Sequence, residues 1–491
     1  MTPGDPVEER SGGEAVADGV TALGRWAAGV DFAALPDAVW RRAALVATDD
    51  LAAVVAARDE PELRPLHDQL LRRAAPPEAT VFRGGRPRTD RYSAAVANGA
   101  AAGWCELDEG YREVPCHGGL CVLPALWAEA EAEGRTVREM LRALAIGYEV
   151  VTRFARGFRF PDQRLHPHAA LPAIGAAAGV AAIRRLPTET FLDAIAGAST
   201  MVAPGPFDHA VKGALVRNVW AGVGAWIGLR SVDWAGLGIG GAASSPYDVF
   251  VGGLGAEARP GELAGALGRS WGIADGFHKI YACCQYAHAA VESSEELLAR
   301  RPDIEAARDI ERIFVETHRR GLALENRRPA TGLAAKFSLP HIVASVSHLR
   351  HTGAEAFSAA TLSDPAIAAL RERVALEPYE PERPWPEDRP ARVTWLLRTG
   401  ERLEAECRSA RGGPDRPFAP SEILDKLRAI AAPAYPHMAE VCRTLVDLDG
   451  ALLETPWTEA VAQMTAAAPP SPPPMTADPA AHVTAAEPGP G

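Results

Sequence analysis

Apolar residues recur at helical spacing through the first half of the chain. From Val20 to Ala57 the pattern is helical. Thr136 and Glu139 form a capping box before the run MLRALAIGYEVVTRF, whose apolar residues fall on one helix face. Strand signals are nearly absent up to about Trp234, so this half is predicted to be all-α.

The pattern changes after about Ser270. Ile310–Thr317 has the β-branched and aromatic content of a strand, and Arg392–Arg408 alternates as two strands around a Thr-Gly turn. The runs LPHIVASVSHL and DPAIAALRERV between them are helical. Residues 271–414 are therefore predicted to form a smaller α+β domain. The segment 415–465 returns to helix and is expected to pack on the first domain.

The two ends of the chain lack the apolar residues of a core. Residues 1–18 are rich in Gly, Glu and Pro, and residues 466–491 are rich in Pro and Ala. Both are predicted to be disordered. The large helical domain is then expected over residues 19–270.

Composition narrows the class of protein. Hydrophobic residues make up 47% and charged residues 23% of the 491, which is typical of a soluble protein of two or three domains. No apolar run reaches the roughly 18 residues of a membrane span, and the acidic N-terminus is unlike a signal peptide. Seven cysteines, an odd number, favour a reducing cytoplasm. A net charge of −12 without a basic stripe argues against a nucleic-acid partner.

Lysine is rare in this chain. Only four of the 51 basic residues are lysines, namely Lys212, Lys279, Lys336 and Lys426. Guanidinium stays protonated and moves protons poorly, so a lysine in an apolar setting is a candidate for chemistry. Lys426 lies in the amphipathic run SEILDKLRAIA and is assigned no role.

One histidine stands before a long run of Ala and Gly, in the stretch RLHPHAALPAIGAAAGVAAIRRL. Such a run can be buried only if neighbouring helices come very close. Pro167 and Pro172 suit helix starts, which places His166 at a helix N-terminus, where a carboxylate or phosphate is favoured. The ring can bind such an anion, exchange a proton with it, or simply cap the helix or fill the core.

An acidic knot lies upstream, with Glu106, Asp108 and Glu109 followed by His117 in a Gly-rich setting. A carboxylate can orient an imidazole and raise its basicity. The neighbouring cysteines form no regular CxxC pair, so no metal site is predicted.

Two further runs carry candidate chemistry. In GFHKIYACCQYAH, Lys279 precedes Cys284 by five residues, and that cysteine is either part of a reactive Cys-His pair or inert packing. In KFSLPHIVA, His341 follows a proline at a predicted helix start.

Together these motifs resemble the MmgE/PrpD family, which includes 2-methylcitrate dehydratase, cis-aconitate decarboxylase and iminodisuccinate epimerase. The resemblance spans roughly Val20 to Thr455 and rests on their order: ANG and the acidic knot, HPxxxxxxxG, VKGALVRN, KIYACCQYAH and AKFSLP. It implies a large helical domain, a smaller α+β lid domain, a homodimer and catalysis without a cofactor.

The resemblance also implies site residues. The family's catalytic Asp falls on Glu106, its following His on His117, its helix-start His on His166, and its two site lysines on Lys212 and Lys279.

The rest of the substrate pocket is implied to include Asp108, Gly110, Cys284 and His341. Glu106 stands where the family has Asp, Gly110 where it has Thr, and His341 where it has Tyr, and these departures should change the pocket.

The function implied is that of a lyase that removes water, or another β leaving group, from a small carboxylated metabolite. The same pocket could instead decarboxylate or epimerise a di- or tricarboxylate. A non-catalytic binding protein of the same fold is a further alternative. Four basic groups in apolar surroundings argue against it, because each is unfavourable without a ligand.

Overall fold

The computed structural model describes residues 6–31, 35–72, 75–160 and 164–467. The tail predicted to be disordered lies outside these residues from 468 onward. No helix in the described part of the chain is long and apolar enough to cross a bilayer.

Helices dominate the structure. In chain order they are α1 (Pro6–Gly29), α2 (Asp37–Ala56), α3 (Leu63–Leu71), α4 (Arg91–Ala102), α5 (Gly118–Ala132), α6 (Val137–Gly157), α7 (Pro167–Ala170), α8 (Pro172–Ile183), α9 (Thr188–Ser199), α10 (Asp208–Lys212), α11 (Trp220–Ala235), α12 (Pro260–Ala264), α13 (His288–Arg300), α14 (Ala306–Asp309), α15 (Arg319–Leu322), α16 (Gly332–Lys336), α17 (Leu339–Leu349), α18 (Ala359–Ser363), α19 (Pro365–Glu372), α20 (Pro420–Ala431), α21 (Met438–Val446), α22 (Gly450–Glu454) and α23 (Trp457–Met464).

The strands are short. They are β1 (Ala79–Thr80), β2 (Arg88–Thr89), β3 (Gly110–Tyr111), β4 (Phe158–Arg159), β5 (Glu257–Ala258), β6 (Gly276–Phe277), β7 (Ile310–Thr317), β8 (Val374–Pro378), β9 (Ala391–Leu397) and β10 (Arg402–Cys407).

Helix α8 is the centre of the helical region and contacts α5, α6, α9 and α11. All of its residues are buried. A Cβ placed on Gly228 of α11 would lie 2.4 Å from Cβ of Ala176, and one on Gly175 would lie 2.9 Å from Cβ of Cys121. The Ala and Gly residues therefore allow the close helix contacts that the sequence requires, and Leu or Val at these glycines would force the helices apart.

A four-stranded mixed sheet forms the core of the C-terminal region, in the order β10-β9-β7-β8. Strands β7 and β8 are parallel, while β9 is antiparallel to both of its neighbours. Helix α13 packs on β9 and β10. The predicted strand at Ile310–Thr317 and the hairpin that follows are confirmed, as is the mainly α fold with a smaller mixed region.

Three details differ from the sequence predictions. Helix α1 begins at Pro6, within the segment predicted to be disordered, because Val16, Val20 and Leu23 recur on one face and are buried. Strand β8 follows α19 where only a helix was predicted. The helical half also contains two-residue ladders, of which β3–β6 joins the acidic knot to the KIYACC run.

Helix α20 returns to the helical region and packs on α2. The side chain of Lys426 on this helix is 6% exposed, and its Nζ donates to Asp49 Oδ1 and to the Leu107 carbonyl, both at 2.7 Å. Asp49 Oδ2 lies 2.9 Å from Nδ1 of His278. Burial raises the pKa of Asp49, but Lys426 and His278 outweigh it and the net shift is downward. The amphipathic spacing of this run did not indicate these structural contacts of Lys426, because helical spacing does not show what a helix face will meet.

This buried ion pair makes Lys426 essential for stability. We expect Lys426→Met to lower the free energy of unfolding by about 3–5 kcal/mol, because it leaves the Asp49 carboxylate buried with one cation fewer. Lys212→Met is the matched control. Its side chain is 69% exposed and pairs with the exposed Asp208, so a change within about 0.5 kcal/mol is expected. Urea denaturation measures both, and equal losses would contradict the assignment.

Candidate active site

Three segments of the chain meet at one cavity. The β3–β6 ladder brings the acidic knot beside Lys279, and His166 reaches the same place from the start of α7. The space between these segments is about 480 Å³, part of which is open to solvent. Its polar lining includes Glu106, His117, His166, Arg217, Lys279 and Arg389.

Two buried carboxylates face two buried cations. Lys279 Nζ lies 3.4 Å from Glu106 Oε2 and 3.4 Å from Asp108 Oδ1. Arg217 Nη2 lies 2.5 Å from Glu106 Oε1. Burial raises the pKa of Glu106, but Arg217 and Lys279 outweigh it and hold the pKa below its ordinary value. Burial lowers the pKa of Lys279, but Asp108 and Glu106 outweigh it, so the pKa is raised and the ammonium form is favoured.

Asp108 also faces two imidazoles. Its Oδ2 lies 2.7 Å from Nδ1 of His117 and 3.5 Å from Nε2 of His168. Nδ1 of His117 is also 2.7 Å from the carbonyl oxygen of Glu109. Two acceptors at one nitrogen assign the proton to Nδ1, which leaves Nε2 as the basic nitrogen of the neutral ring. Burial raises the pKa of Asp108, but Lys279 and His117 outweigh it and hold the pKa well below its ordinary value.

His166 stands at the predicted helix start. Its Nδ1 accepts the backbone N–H of His168 at 3.1 Å, and its Nε2 lies 3.2 Å from Nη2 of Arg217. The ring stacks on Phe207 with centroids 5.5 Å apart. Burial and Arg217 lower the pKa of His166 well below its ordinary value, so the ring is neutral. Burial likewise lowers the pKa of His168 to about 3.

The third acid of the knot differs from the other two. Glu109 accepts the N–H of Gly119 at 2.5 Å and the hydroxyl of Tyr148 at 2.8 Å. Burial raises its pKa to about 8, and the nearby Asp49 and Asp108 carboxylates add to the shift. The environments therefore divide the knot into two ionised acids that face cations and one neutral acid that braces the backbone.

Two residues of the predicted pocket have defined structural roles. A Cβ on Gly110 would lie 2.5 Å from the Phe277 ring, so a larger residue at this strand position would collide with the aromatic wall. Cys284 lines the cavity, but burial raises the pKa of its thiol to about 12, which disfavours the nucleophilic thiolate.

The structure does not bring Lys212 or His341 to this cluster. Lys212 is exposed and lies 3.0 Å from Asp208. His341 is buried four residues after Phe337, which lines the cavity. Its Nδ1 lies 3.0 Å from Nη1 of Arg371. Its backbone N–H is capped by the hydroxyl of Ser338 at 3.1 Å.

Sequence reasoning missed Arg217, His168 and Arg389. Arg217 lies in the VKGALVRN run, but one arginine among so many carries no signal of its own. His168 is the second histidine of HPH, two residues beyond the one singled out. Arg389 is buried against Gln285 and donates to the carbonyl oxygen of Arg112 at 3.1 Å, and burial lowers its pKa to about 10.

The donor atoms of Asp108, His117 and His168 lie within 4.8 Å of one another, a set that suits a divalent metal ion. The charge of the surroundings opposes such an ion. Lys279 Nζ is 3.4 Å from the same Asp108 carboxylate, and Arg217 adds a second cation to the cavity. The positive charge beside Asp108 therefore disfavours a metal centre at this trio.

Comparison with known proteins identifies the family of this chain. Residues 21–258 match the MmgE/PrpD N-terminal domain, and residues 281–449 match the C-terminal domain. The chain is 26% identical to a cis-aconitate decarboxylase of Aspergillus terreus over 351 residues, which cover 66% of this chain and 71% of that protein. It is 24% identical to the cis-aconitate decarboxylase-like protein oryM of Aspergillus oryzae over 380 residues, which cover 71% and 77%. The chain thus belongs to the MmgE/PrpD family of enzymes acting on carboxylate metabolites.

Proposed function

We propose that this chain is a cofactor-independent lyase that eliminates water, or another β leaving group, from a small di- or tricarboxylate. The observation that carries the proposal is the Asp108–His117 pair at 2.7 Å, on a cavity that also holds Lys279 and Arg217. The pair supplies a base, and the two cations supply charge for a carboxylate.

The proposed reaction proceeds through a carbanion next to a carboxylate. His117 Nε2 removes the proton from that carbon, and the electron pair delocalises into the carboxylate. Lys279 and Arg217 stabilise the added charge in a cavity with little water. The electron pair then returns to form the C=C bond as the C–O bond of the β-hydroxyl breaks, and the imidazolium gives its proton to the departing oxygen. Asp108 stabilises that imidazolium without accepting its proton.

Decarboxylation is the second candidate, favoured by the similarity to cis-aconitate decarboxylases of Aspergillus terreus. Here a C–C bond breaks, carbon dioxide leaves, and the electron pair delocalises into a remaining carboxylate held by the same two cations. Imidazolium at His117 then protonates the carbanion. The two reactions need opposite protonation states of His117 at the start.

Proton NMR in deuterated water distinguishes the reactions on a panel of hydroxy and unsaturated di- and tricarboxylates. Dehydration gives a new alkene with the carbon number unchanged, and decarboxylation gives a product one carbon shorter. Exchange of a C–H proton without net reaction would indicate epimerisation. His117→Gln should reduce kcat by about 10²–10⁴-fold, because the amide cannot take the proton from carbon. Unchanged turnover in this variant would contradict the role of His117.

The cations give a second prediction. Arg217→Met and Lys279→Met should each reduce kcat by about 10²–10³-fold, comparable to the loss of one oxyanion donor. Lys212→Met is the control and should keep most activity, because its ammonium lies outside the cavity. Far-UV circular dichroism is used first to find a temperature at which every variant is folded, and kcat is measured at that temperature. A large loss in the Lys212 variant with turnover intact in the Arg217 variant would reverse the assignment.

The charge argument against a metal is tested by chelation. We expect full activity after dialysis against EDTA, because Lys279 already neutralises the Asp108 carboxylate that a metal would need. Activity that disappears and returns on addition of zinc or iron would refute this.

A further inference from the structure

A second cavity continues from the active site. It encloses about 720 Å³, part of which is open to solvent. Pro115, His166, Pro167 and Phe207 line both cavities. A molecule bound at Lys279 and Arg217 can therefore extend into the second cavity past the imidazole of His166.

The walls of this second cavity are largely aromatic and aliphatic. Phe158 stacks on Phe250 with centroids 4.9 Å apart, and Phe160 lies 6.3 Å from Phe250. Leu165 and Leu171 complete much of the apolar lining. A carboxylate placed among these rings would lose its hydration without gaining a partner, whereas a hydrocarbon would be favoured.

Two arginines border the second cavity, Arg159 and Arg320. Arg159 is already paired, with Nη2 lying 3.3 Å from Glu113 Oε1. Arg320 lies over the ring of Tyr286, with its guanidinium carbon 5.8 Å from the ring centroid. The charged groups of the second cavity are thus these two arginines, and the rest of its lining, apart from His166, is apolar.

We propose that the second cavity binds an alkyl substituent of the substrate, and that the enzyme acts on polycarboxylates that carry a hydrocarbon chain of several carbons. This inference rests on the proposed function. The carboxylated end lies with Lys279, Arg217 and His117, and the alkyl chain lies between Phe160, Phe250 and Leu165. Burial of each methylene strengthens binding by about fourfold, so chain length is the basis of selection.

Isothermal titration calorimetry with the full chain tests this without requiring turnover. The probes are 2-methylsuccinate, 2-butylsuccinate and 2-hexylsuccinate, which share one dicarboxylate. We expect butyl to bind about 60-fold more tightly than methyl, as three buried methylenes imply. Hexyl should bind at least as tightly as butyl.

Two variants test whether the dependence of binding on chain length arises in the second cavity. Ala155→Phe places a ring in the second cavity, and Phe160→Ala removes part of its wall. Both variants should weaken the binding of 2-butylsuccinate by about tenfold or more. The affinity for 2-methylsuccinate should stay within about threefold of the wild-type value. Phe314→Ala, at a half-buried aromatic of β7 outside the lining, is the matched control and should change neither. Circular dichroism confirms that each variant is folded, and Phe160→Ala alone suffices if Ala155→Phe does not fold.

The outcomes separate the two proposals. A flat series in wild type, or a chain-length effect that survives in the folded variants, overturns the alkyl site and leaves the lyase proposal standing. If none of the succinates binds, the carboxylate site itself fails, and the alkyl inference falls with it.

Discussion

The burial of two ionised carboxylates in one cavity is the constraint on which the rest of this site depends. An unpaired buried charge is strongly destabilising, so Glu106 and Asp108 require Lys279 and Arg217, which come from distant parts of the chain. Together these two carboxylates and two cations carry almost no net charge. A carboxylate substrate that binds Arg217 must therefore compete with Glu106 for it. Its affinity depends on how well its carboxylates replace an existing ion pair, and not on net attraction alone.

Asp108 connects stability with chemistry, because one of its oxygens faces Lys279 and the other faces His117. A second buried group of charges supports it from behind. Lys426 donates to the carbonyl of Leu107, which lies between Glu106 and Asp108 in the chain, and also to Asp49, which in turn contacts His278 beside Lys279. The C-terminal return of the chain thus fixes the relative positions of both halves of the site. Packing and buried ion pairs thus fix the positions of the imidazole and of the two cations relative to one another.

Local patterns predicted local structure well. The capping box of Thr136 and Glu139 forms as expected, and the strand at Ile310–Thr317 has the predicted bounds. The start of α7 after His166 followed from its proline. The side chains that reach the cavity were harder to predict, because rarity marks a lysine without showing which way it points. The four lysines illustrate this: Lys279 is in the site, Lys426 is a buried brace, Lys336 donates to the carbonyl of Trp104, and Lys212 is exposed. Tertiary contacts decide among these outcomes.

The departures from the family pattern at Glu106 and Gly110 change the contacts around the cavity. The additional methylene of Glu106 allows one carboxylate to bridge Arg217 and Lys279, with its backbone held at φ +55°. The ring of Phe277 occupies the space that a side chain at Gly110 would fill. The same ring lies edge-on to His117, with the ring centroids 6.2 Å apart. A hydroxyl in that position would bind water or a polar group of the substrate. The aromatic ring offers neither contact, so the side of the cavity next to this imidazole is apolar.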